Sequence, residues 1–131
     1  MDTMGKKSSN GLNKNSKIYV AGHRGLVGSA IIRSLIKQGY NNLITKTRQE
    51  LNLLDAQTVA EFFKKEKPEY IFLAAAKVGG IMANKTYPAE FIFENLTIQN
   101  NIIHNAYLNK VKKTFIFGQF LHLPQIISSA D

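Results

Sequence analysis

The chain has 131 residues, 44% of them hydrophobic, no cysteine, and a formal net charge of +8 at pH 7. This length allows one domain with a buried core, and the absence of cysteine excludes disulfides and thiol chemistry in the printed sequence. No apolar stretch is long enough to span a bilayer, and residues 1–16 have no apolar segment typical of a secretory signal. We therefore expect a cytoplasmic α/β protein with no membrane partner.

Residues 1–16 are polar and rich in Ser, Asn, Lys and Gly, which predicts a disordered basic leader. Further lysines cluster at 64–67 and at 110–113. Such clusters are typical of solvated helix ends, and the alternative is a nucleic-acid surface. No aromatic residues alternate with the lysines, so we favour the first explanation and predict no nucleic-acid partner. A positive protein also suits an anionic cofactor and an anionic substrate.

The first folded unit contains a glycine-rich turn. The apolar run 18–21 is followed by Gly22, Gly25 and Gly28, and the amphipathic segment that begins at Leu26 stops at Gly39. A strand, a glycine-rich turn and a helix in this order form the dinucleotide-binding fingerprint. Gly22 would permit the tight turn, Gly25 a close approach of a pyrophosphate, and Gly28 the packing of helix on strand. A glycine-rich turn without a ligand is the alternative interpretation.

Strands and helices alternate along the rest of the chain. Its apolar runs and breakers predict a short strand at 43–47, a helix capped by Asp55 and ended by Pro68, a buried strand at 70–76, a loop at 77–81, a long helix from Pro88 and a strand at 113–118. The order βαβαβαβ predicts a Rossmann-like, doubly wound parallel sheet, of which this would be the N-terminal part.

The long helix after Pro88 has more apolar residues than one contact with a sheet would bury. They are Phe91, Leu96, Ile98, Ile102, Ile103 and Tyr107. One face should pack on the sheet, and a second helix, a partner subunit or the chain's own tail would cover the other. His104 has no second ligand spaced to form a metal site, so we interpret it as an ordinary helix residue and predict no metal.

Arg48 follows the second predicted strand. NAD enzymes of this architecture place an acidic residue at this point, on the ribose hydroxyls, whereas a cation favours the 2′-phosphate of NADP. A surface arginine without a ligand is the alternative.

Several blocks of the sequence together resemble the GDP-L-fucose synthase family of extended short-chain dehydrogenases/reductases. They are residues 22–31, 48–55 and 73–81, Tyr87-Pro88-Ala89, and Asn95. The resemblance runs from about Lys17 to Gly118 and implies an incomplete NADP-binding domain over 17–118. For the full-length family it also implies NADPH-dependent 3,5-epimerisation and 4-reduction of GDP-4-keto-6-deoxymannose, and a homodimer paired through helices that include the one after Pro88.

The resemblance further implies roles for individual residues. Arg24 and Arg48 would face the 2′-phosphate of NADP(H), and Asn52 and Leu53 would lie near the adenine. The full set of implied cofactor-binding residues is Gly22, His23, Arg24, Gly25, Leu26, Val27, Gly28, Arg48, Asn52, Leu53, Ala74, Ala75, Ala76 and Gly118. The implied border of the substrate pocket is Lys77, Val78, Gly79 and Gly80.

The match to the family breaks after Gly118. The family continues with Ser-Ser-Cys-Ile-Tyr-Pro and later has a Tyr-x-x-x-Lys pair, whereas here Gln119-Phe-Leu-His-Leu-Pro-Gln follows and no such pair occurs. We therefore assign no catalytic residue. Codons for Gln119 onward, read from their second base, can encode Ser-Ser-Cys-Ile-Tyr-Pro-Lys. This predicts that one extra nucleotide shifted the frame and produced the tail 119–131. A genuinely divergent tail is the alternative.

Three functional interpretations follow. The chain is a truncated epimerase/reductase that is inactive alone, a nucleotide-binding module without catalysis, or a non-functional gene fragment.

Overall fold

A computed structural model describes residues 11–75 and 88–117 of the chain. The described strands are β1 (Ile18–Ala21), β2 (Leu43–Ile44), β3 (Tyr70–Leu73) and β4 (Lys113–Ile116), and the helices are α1 (Leu26–Lys37), α2 (Ala56–Glu66) and α3 (Pro88–Leu108). All strand pairs are parallel, in the order β2-β1-β3-β4. The predicted Rossmann-like alternation of strands and helices is therefore confirmed.

The strand order reverses beside β1, because the chain runs first to β2 on one side and then to β3 on the other. Ligands of open parallel sheets bind at such a switch point, beyond the carboxyl ends of the strands. Ala21 and Leu73 are paired at those ends, and the Ala74 N–H donates to the Ala21 carbonyl over 2.9 Å. The segments that leave β1 and β3 consequently start side by side.

The two faces of the sheet are buried separately because side chains alternate along β1. Ile18 and Val20 lie in one cluster, together with Leu35 of α1. Tyr19 and Ala21 lie in the other, packed with residues of α2 and α3 that include Phe63 and Ile102. Burial of Tyr19 raises the pKa of its phenol above the usual value. The core thus holds α1 on one face and α2 with α3 on the other.

The ends of α2 lie where the sequence predicts them. The Asp55 carboxylate accepts hydrogen bonds from the backbone N–H groups of Gln57 and Thr58, over 3.1 and 3.3 Å, so the predicted N-cap is confirmed. The pKa of Asp55 is lowered chiefly by the hydrogen bond from the Thr58 side chain and also by the bond from the Thr58 N–H. At the other end Lys67 takes a left-handed φ of 48° and its N–H donates to Phe63. Pro68, which lacks an N–H, follows.

The strands are shorter than the sequence predicts. β2 ends at Ile44 instead of residue 47, because the chain leaves the sheet edge there and forms a turn between Thr47 and Glu50. β3 ends at Leu73, so Ala74 and Ala75 lie beyond the strand, and β4 ends at Ile116. The predicted positions Ala76 and Gly118 fall outside the described residues.

Residues 11–16 pack against the domain, although the sequence predicts a disordered leader up to residue 16. The Asn41 N–H donates to the Lys14 carbonyl over 3.2 Å, and Lys14 Nζ donates to the Gln38 carbonyl over 2.6 Å. Leu12 contacts the cluster under α1, and Ser16 is buried. Folded structure therefore begins before Lys17.

Helix α3 has apolar residues on more than one face, as predicted. Ile98, Ile102 and Ala106 are buried against the sheet and α2, whereas Phe93 and Tyr107 are 68% and 80% exposed. Leu96 and Ile103 are also exposed on this helix. Among the described residues, no helix is long and apolar enough to cross a membrane, and no group of three metal-ligating side chains occurs.

Candidate functional site

A cavity of about 520 Å³ opens at the carboxyl ends of β1, β2 and β3. It lies at the switch point of the sheet, where the fold places ligands. Its walls are formed by Gly22, His23, Arg24, Gly25, Lys46, Thr47, Arg48, Leu51, Asn52, Leu53, Leu54, Ala75, Glu94 and Ile98. The cavity thus joins the glycine turn, the segment after β2, the start of the segment after β3, and one face of α3.

Gly22 and Gly28 are required by the packing of the turn itself. Gly22 has a φ of +85°, and a Cβ there would lie 2.6 Å from the Ala74 carbonyl oxygen. A Cβ on Gly28 would overlap the Gly22 carbonyl oxygen. The turn after β1 is therefore pressed between the end of β3 and the first turn of α1, as the fingerprint requires.

Gly25 differs from the other two glycines. It is the N-cap of α1 with a φ of −77°, and a Cβ there would meet only the Gly22 carbonyl oxygen, at 3.6 Å. The protein would therefore accept a methyl group at this position, and the space in front of it belongs to the cavity. None of the described side chains caps α1, and its first turn has no acidic residue. The N–H groups at the start of α1 are thus available to an anion.

Three cations border the same cavity. Arg24 comes from the glycine turn, whereas Lys46 and Arg48 come from the segment after β2. Lys46 was not predicted as a site residue. The signal was nevertheless present, because Lys46 follows the second strand as Arg48 does. Glu94 of α3 also lines the cavity, so the three cations outnumber the one carboxylate, and the net positive lining suits a multiply charged anion.

Thr47 and Glu50 hold the turn that contains Arg48. The Thr47 N–H donates to Glu50 Oε1 over 2.8 Å, and the Glu50 N–H donates to Thr47 Oγ1 over 3.2 Å. The bond from the Thr47 N–H chiefly lowers the pKa of Glu50, and the bond with the Thr47 side chain and the positive charge of Lys46 add to the effect. This reciprocal pair has the hydrogen-bond pattern of a capping box, here around a single turn and not at the start of a helix. Its Thr-x-x-Glu spacing is visible in the sequence but was not interpreted there.

Apolar side chains form another wall. Leu51 and Ile98 are buried, and Leu53 and Leu54 complete the apolar lining beside Asn52. Asn101 of α3 donates through Nδ2 to the Leu53 carbonyl over 2.8 Å and so ties this wall to α3. A flat heteroaromatic ring fits such a surface. Leu51, Leu54, Glu94 and Ile98 were missed because the sequence does not show that α3 reaches the segment after β2.

Most predicted cofactor residues in the described segments line the cavity. Leu26, Val27 and Gly28 do not, since they start α1, and Leu26 is 87% exposed. Ala74 lies directly behind Gly22 and is also absent from the lining. Nδ1 of His23 is buried with no hydrogen-bond partner among the described residues. The predicted substrate-pocket residues 77–80 fall outside the described segments.

Residues 18–119 match the NAD dependent epimerase/dehydratase family. Over 124 residues the chain is 54% identical to GDP-L-fucose synthase 1 of Arabidopsis thaliana, covering 95% of this chain and 38% of that protein. It is 50% identical over 110 residues to the GDP-L-fucose synthase of Escherichia coli K12, covering 84% and 34%. The chain thus spans less than two fifths of the length of these relatives.

Solved structures agree with this match. A GDP-mannoheptose C4 reductase from Campylobacter jejuni with NADP bound superposes with a TM-score of 0.77 at 57% identity, covering 82% of this chain and 32% of that one. A GDP-L-fucose synthetase from Naegleria fowleri bound to NADP superposes with a TM-score of 0.68 at 31% identity, covering 80% and 32%.

The three glycines should respond differently to alanine. We expect Gly28→Ala to destabilise the domain by about 1–3 kcal/mol or more, because the new methyl group overlaps backbone that cannot rotate away. Gly25→Ala should change the free energy of unfolding by no more than about 1 kcal/mol. Urea denaturation of both variants beside the wild type measures this. Equal destabilisation by both would contradict the described turn.

Proposed function

Because the chain belongs to the NAD dependent epimerase/dehydratase family, we propose that its cavity binds NADP(H). The observation that carries this proposal is the convergence of Arg24, Lys46 and Arg48 on a cavity that is also lined by Gly25, the N-cap residue of α1, which has no side-chain cap. A helix N-terminus favours the diphosphate, and a cluster of cations favours an additional phosphate monoester. NAD lacks that monoester, so the three cations favour NADP(H) over NAD(H).

The parts of the cavity fit the parts of this cofactor in order. Gly25 and the N–H groups behind it would hold the pyrophosphate, since no side chain fills the space in front of them. Arg24 and the cations after β2 would hold the 2′-phosphate. The apolar wall between Leu51 and Ile98 would pack on the adenine. The cofactor supplies a hydride when bound, and Ala75, two residues beyond the end of β3, leaves room for its close approach.

We further propose that the full-length protein acts on a GDP-sugar with a carbonyl group at C4. The support is that the relatives above are GDP-L-fucose synthases and a GDP-mannoheptose C4 reductase. Within that class, the resemblance in the sequence favours epimerisation and reduction of GDP-4-keto-6-deoxymannose. Lys77, Val78, Gly79 and Gly80 remain the proposed border of the substrate pocket.

For the 131 residues as printed, we propose cofactor binding without turnover. The Ser-Ser-Cys motif and the Tyr-x-x-x-Lys pair that the resemblance leads us to expect do not occur in them. A missing general acid or base costs about 10²–10⁴-fold in rate for each group. We propose a shift of reading frame as the origin of the tail. The match to the family model ends at residue 119, whereas the match to GDP-L-fucose synthase 1 covers 95% of the chain and so continues beyond that residue.

The exposed face of α3 supports a third proposal, that two copies of the chain pair through this helix. Phe93, Leu96, Ile103 and Tyr107 recur at helical spacing and are all exposed. Large contiguous apolar surfaces on a helix usually mark an interface. A second copy would bury the same stripe on both partners, as expected for a two-fold symmetric dimer.

Titration of the full chain tests the cofactor proposal. We expect saturable NADPH binding and weaker NADH binding, since NADH has no 2′-phosphate. Arg48→Ala should weaken NADPH binding roughly tenfold or more and leave NADH nearly unaffected. Gly25→Ala should weaken both, because its methyl group would enter the space for the pyrophosphate. Fluorescence titration measures the dissociation constants, with Ile36→Ala, exposed at the far end of α1, as control. No saturation at millimolar NADPH would contradict the proposal and favour a non-functional fragment.

The DNA across codons 118–131 tests the frameshift. We expect that the frame starting at the second base of codon 119 encodes Ser-Ser-Cys-Ile-Tyr-Pro-Lys and then remains open. Removal of one nucleotide at that junction should yield a longer protein that oxidises NADPH in the presence of GDP-4-keto-6-deoxymannose. A stop codon or an unrelated sequence in that frame would show that the tail is a genuine divergence.

Sedimentation of the full chain tests pairing through α3. We expect a concentration-dependent dimer for the wild type, and a monomer for the double substitution Ile103→Glu and Tyr107→Glu, because charges would be buried at the interface. Ile36→Glu, on an exposed position of α1, serves as control and should remain dimeric. A wild-type monomer at high micromolar concentration would refute this pairing.

A further inference from the structure

Glu50, at the end of the turn that begins at Thr47, is an acidic residue close in sequence to the cations Lys46 and Arg48. Glu50 is exposed and does not line the cavity. The hydrogen bond from the Thr47 N–H chiefly lowers the pKa of the Glu50 carboxyl group, and the positive charge of Lys46 adds to this effect. A negative charge at this distance opposes the binding of a phosphate dianion. If charge alone mattered, the cofactor site would be better without it.

The hydrogen bonds of Glu50 provide a reason for its presence. Its Oε1 receives the Thr47 N–H, its own N–H is bonded to Thr47 Oγ1, and the Leu51 N–H donates to the Thr47 carbonyl over 2.9 Å. These three bonds close one tight turn. Arg48 is the first residue inside the turn and Lys46 directly precedes it, so the backbone of both cations is held relative to Thr47.

We propose that Glu50 is a positioning residue, which, through its reciprocal bonds with Thr47, presets Lys46 and Arg48 for the 2′-phosphate and thereby increases the preference for NADPH over NADH. The inference rests on the proposed binding of NADP(H) and adds Lys46 and the Thr47–Glu50 pair to the residues that decide selectivity. A preset pair of cations binds a phosphate more tightly because less conformational freedom is lost on binding.

The negative charge of Glu50 should weaken the binding of a phosphate, whereas its hydrogen bonds with Thr47 should strengthen it. Two substitutions separate these effects. Glu50→Ala removes both the charge and the hydrogen-bond acceptor. Glu50→Gln removes the charge and keeps an amide oxygen that can accept from Thr47, and glutamine is also used in capping boxes. Gln49→Ala is the matched control, because Gln49 is exposed in the same turn and does not line the cavity.

The measured quantity is the ratio of the NADH to the NADPH dissociation constant for the full chain. Both cofactors are titrated into the same preparation, so any loss of folded protein cancels from the ratio. We expect Glu50→Ala to lower this ratio roughly fivefold, the usual scale of a lost cap, through weaker NADPH binding. Glu50→Gln should keep the wild-type ratio or raise it, and Gln49→Ala should leave it unchanged.

Three outcomes would overturn the inference. An unchanged ratio for Glu50→Ala would show that the turn does not position the cations, and a ratio raised equally by both Glu50 substitutions would show that its charge alone matters. In either case, a wild-type preference for NADPH leaves the proposed function standing. A wild type that binds neither cofactor overturns the proposed function and this inference together.

Discussion

The close contact between the glycine turn and its neighbours is the constraint on which the rest of the site depends. The Gly22 carbonyl oxygen occupies the space that a Cβ on Gly28 would need, and Gly22 itself touches the backbone at Ala74. The start of α1 is therefore fixed against both β1 and the end of β3. Gly25, the N-cap residue of α1, lines the cavity, and none of the described side chains caps this helix. An uncapped helix start beside a cavity is the physical basis for proposing an anion there.

The parallel sheet provides the second condition. In such a sheet all strands end at the same edge, so the turn after β1 and the segment after β2 come together although about twenty residues separate them. β2 is very short, and the chain leaves it before Thr47. That early departure allows a turn stabilised by its own hydrogen bonds to form at the rim. If β2 extended to Arg48, this residue would be part of the sheet edge and could not lie in the turn.

Helix α3 connects the site to the surface of the domain. Its buried face includes Ile98, which reaches the cavity, and Asn101 bonds to the backbone of Leu53. Its opposite face exposes Phe93 and Tyr107. Helix α3 packs on the sheet, supports the apolar wall of the cavity and presents apolar residues outward, so its side chains meet three environments. This explains why its apolar pattern is too broad for a simple amphipathic helix.

The sequence by itself determined the order of elements, the glycine turn, the Asp55 cap and the place of Arg48 after the second strand, because each depends on residues close together in the chain. Gly22, Gly25 and Asp55 act through backbone geometry that local spacing reveals. Only the tertiary structure decided that Lys46, Glu94 and Ile98 share a cavity with Arg24, because parallel pairing and helix packing bring distant segments together. It also distinguished Gly28, which the fold itself requires, from Gly25, whose missing side chain opens the cavity. Identical residues at equal spacing cannot show that difference, since it depends on which atoms lie opposite each Cα.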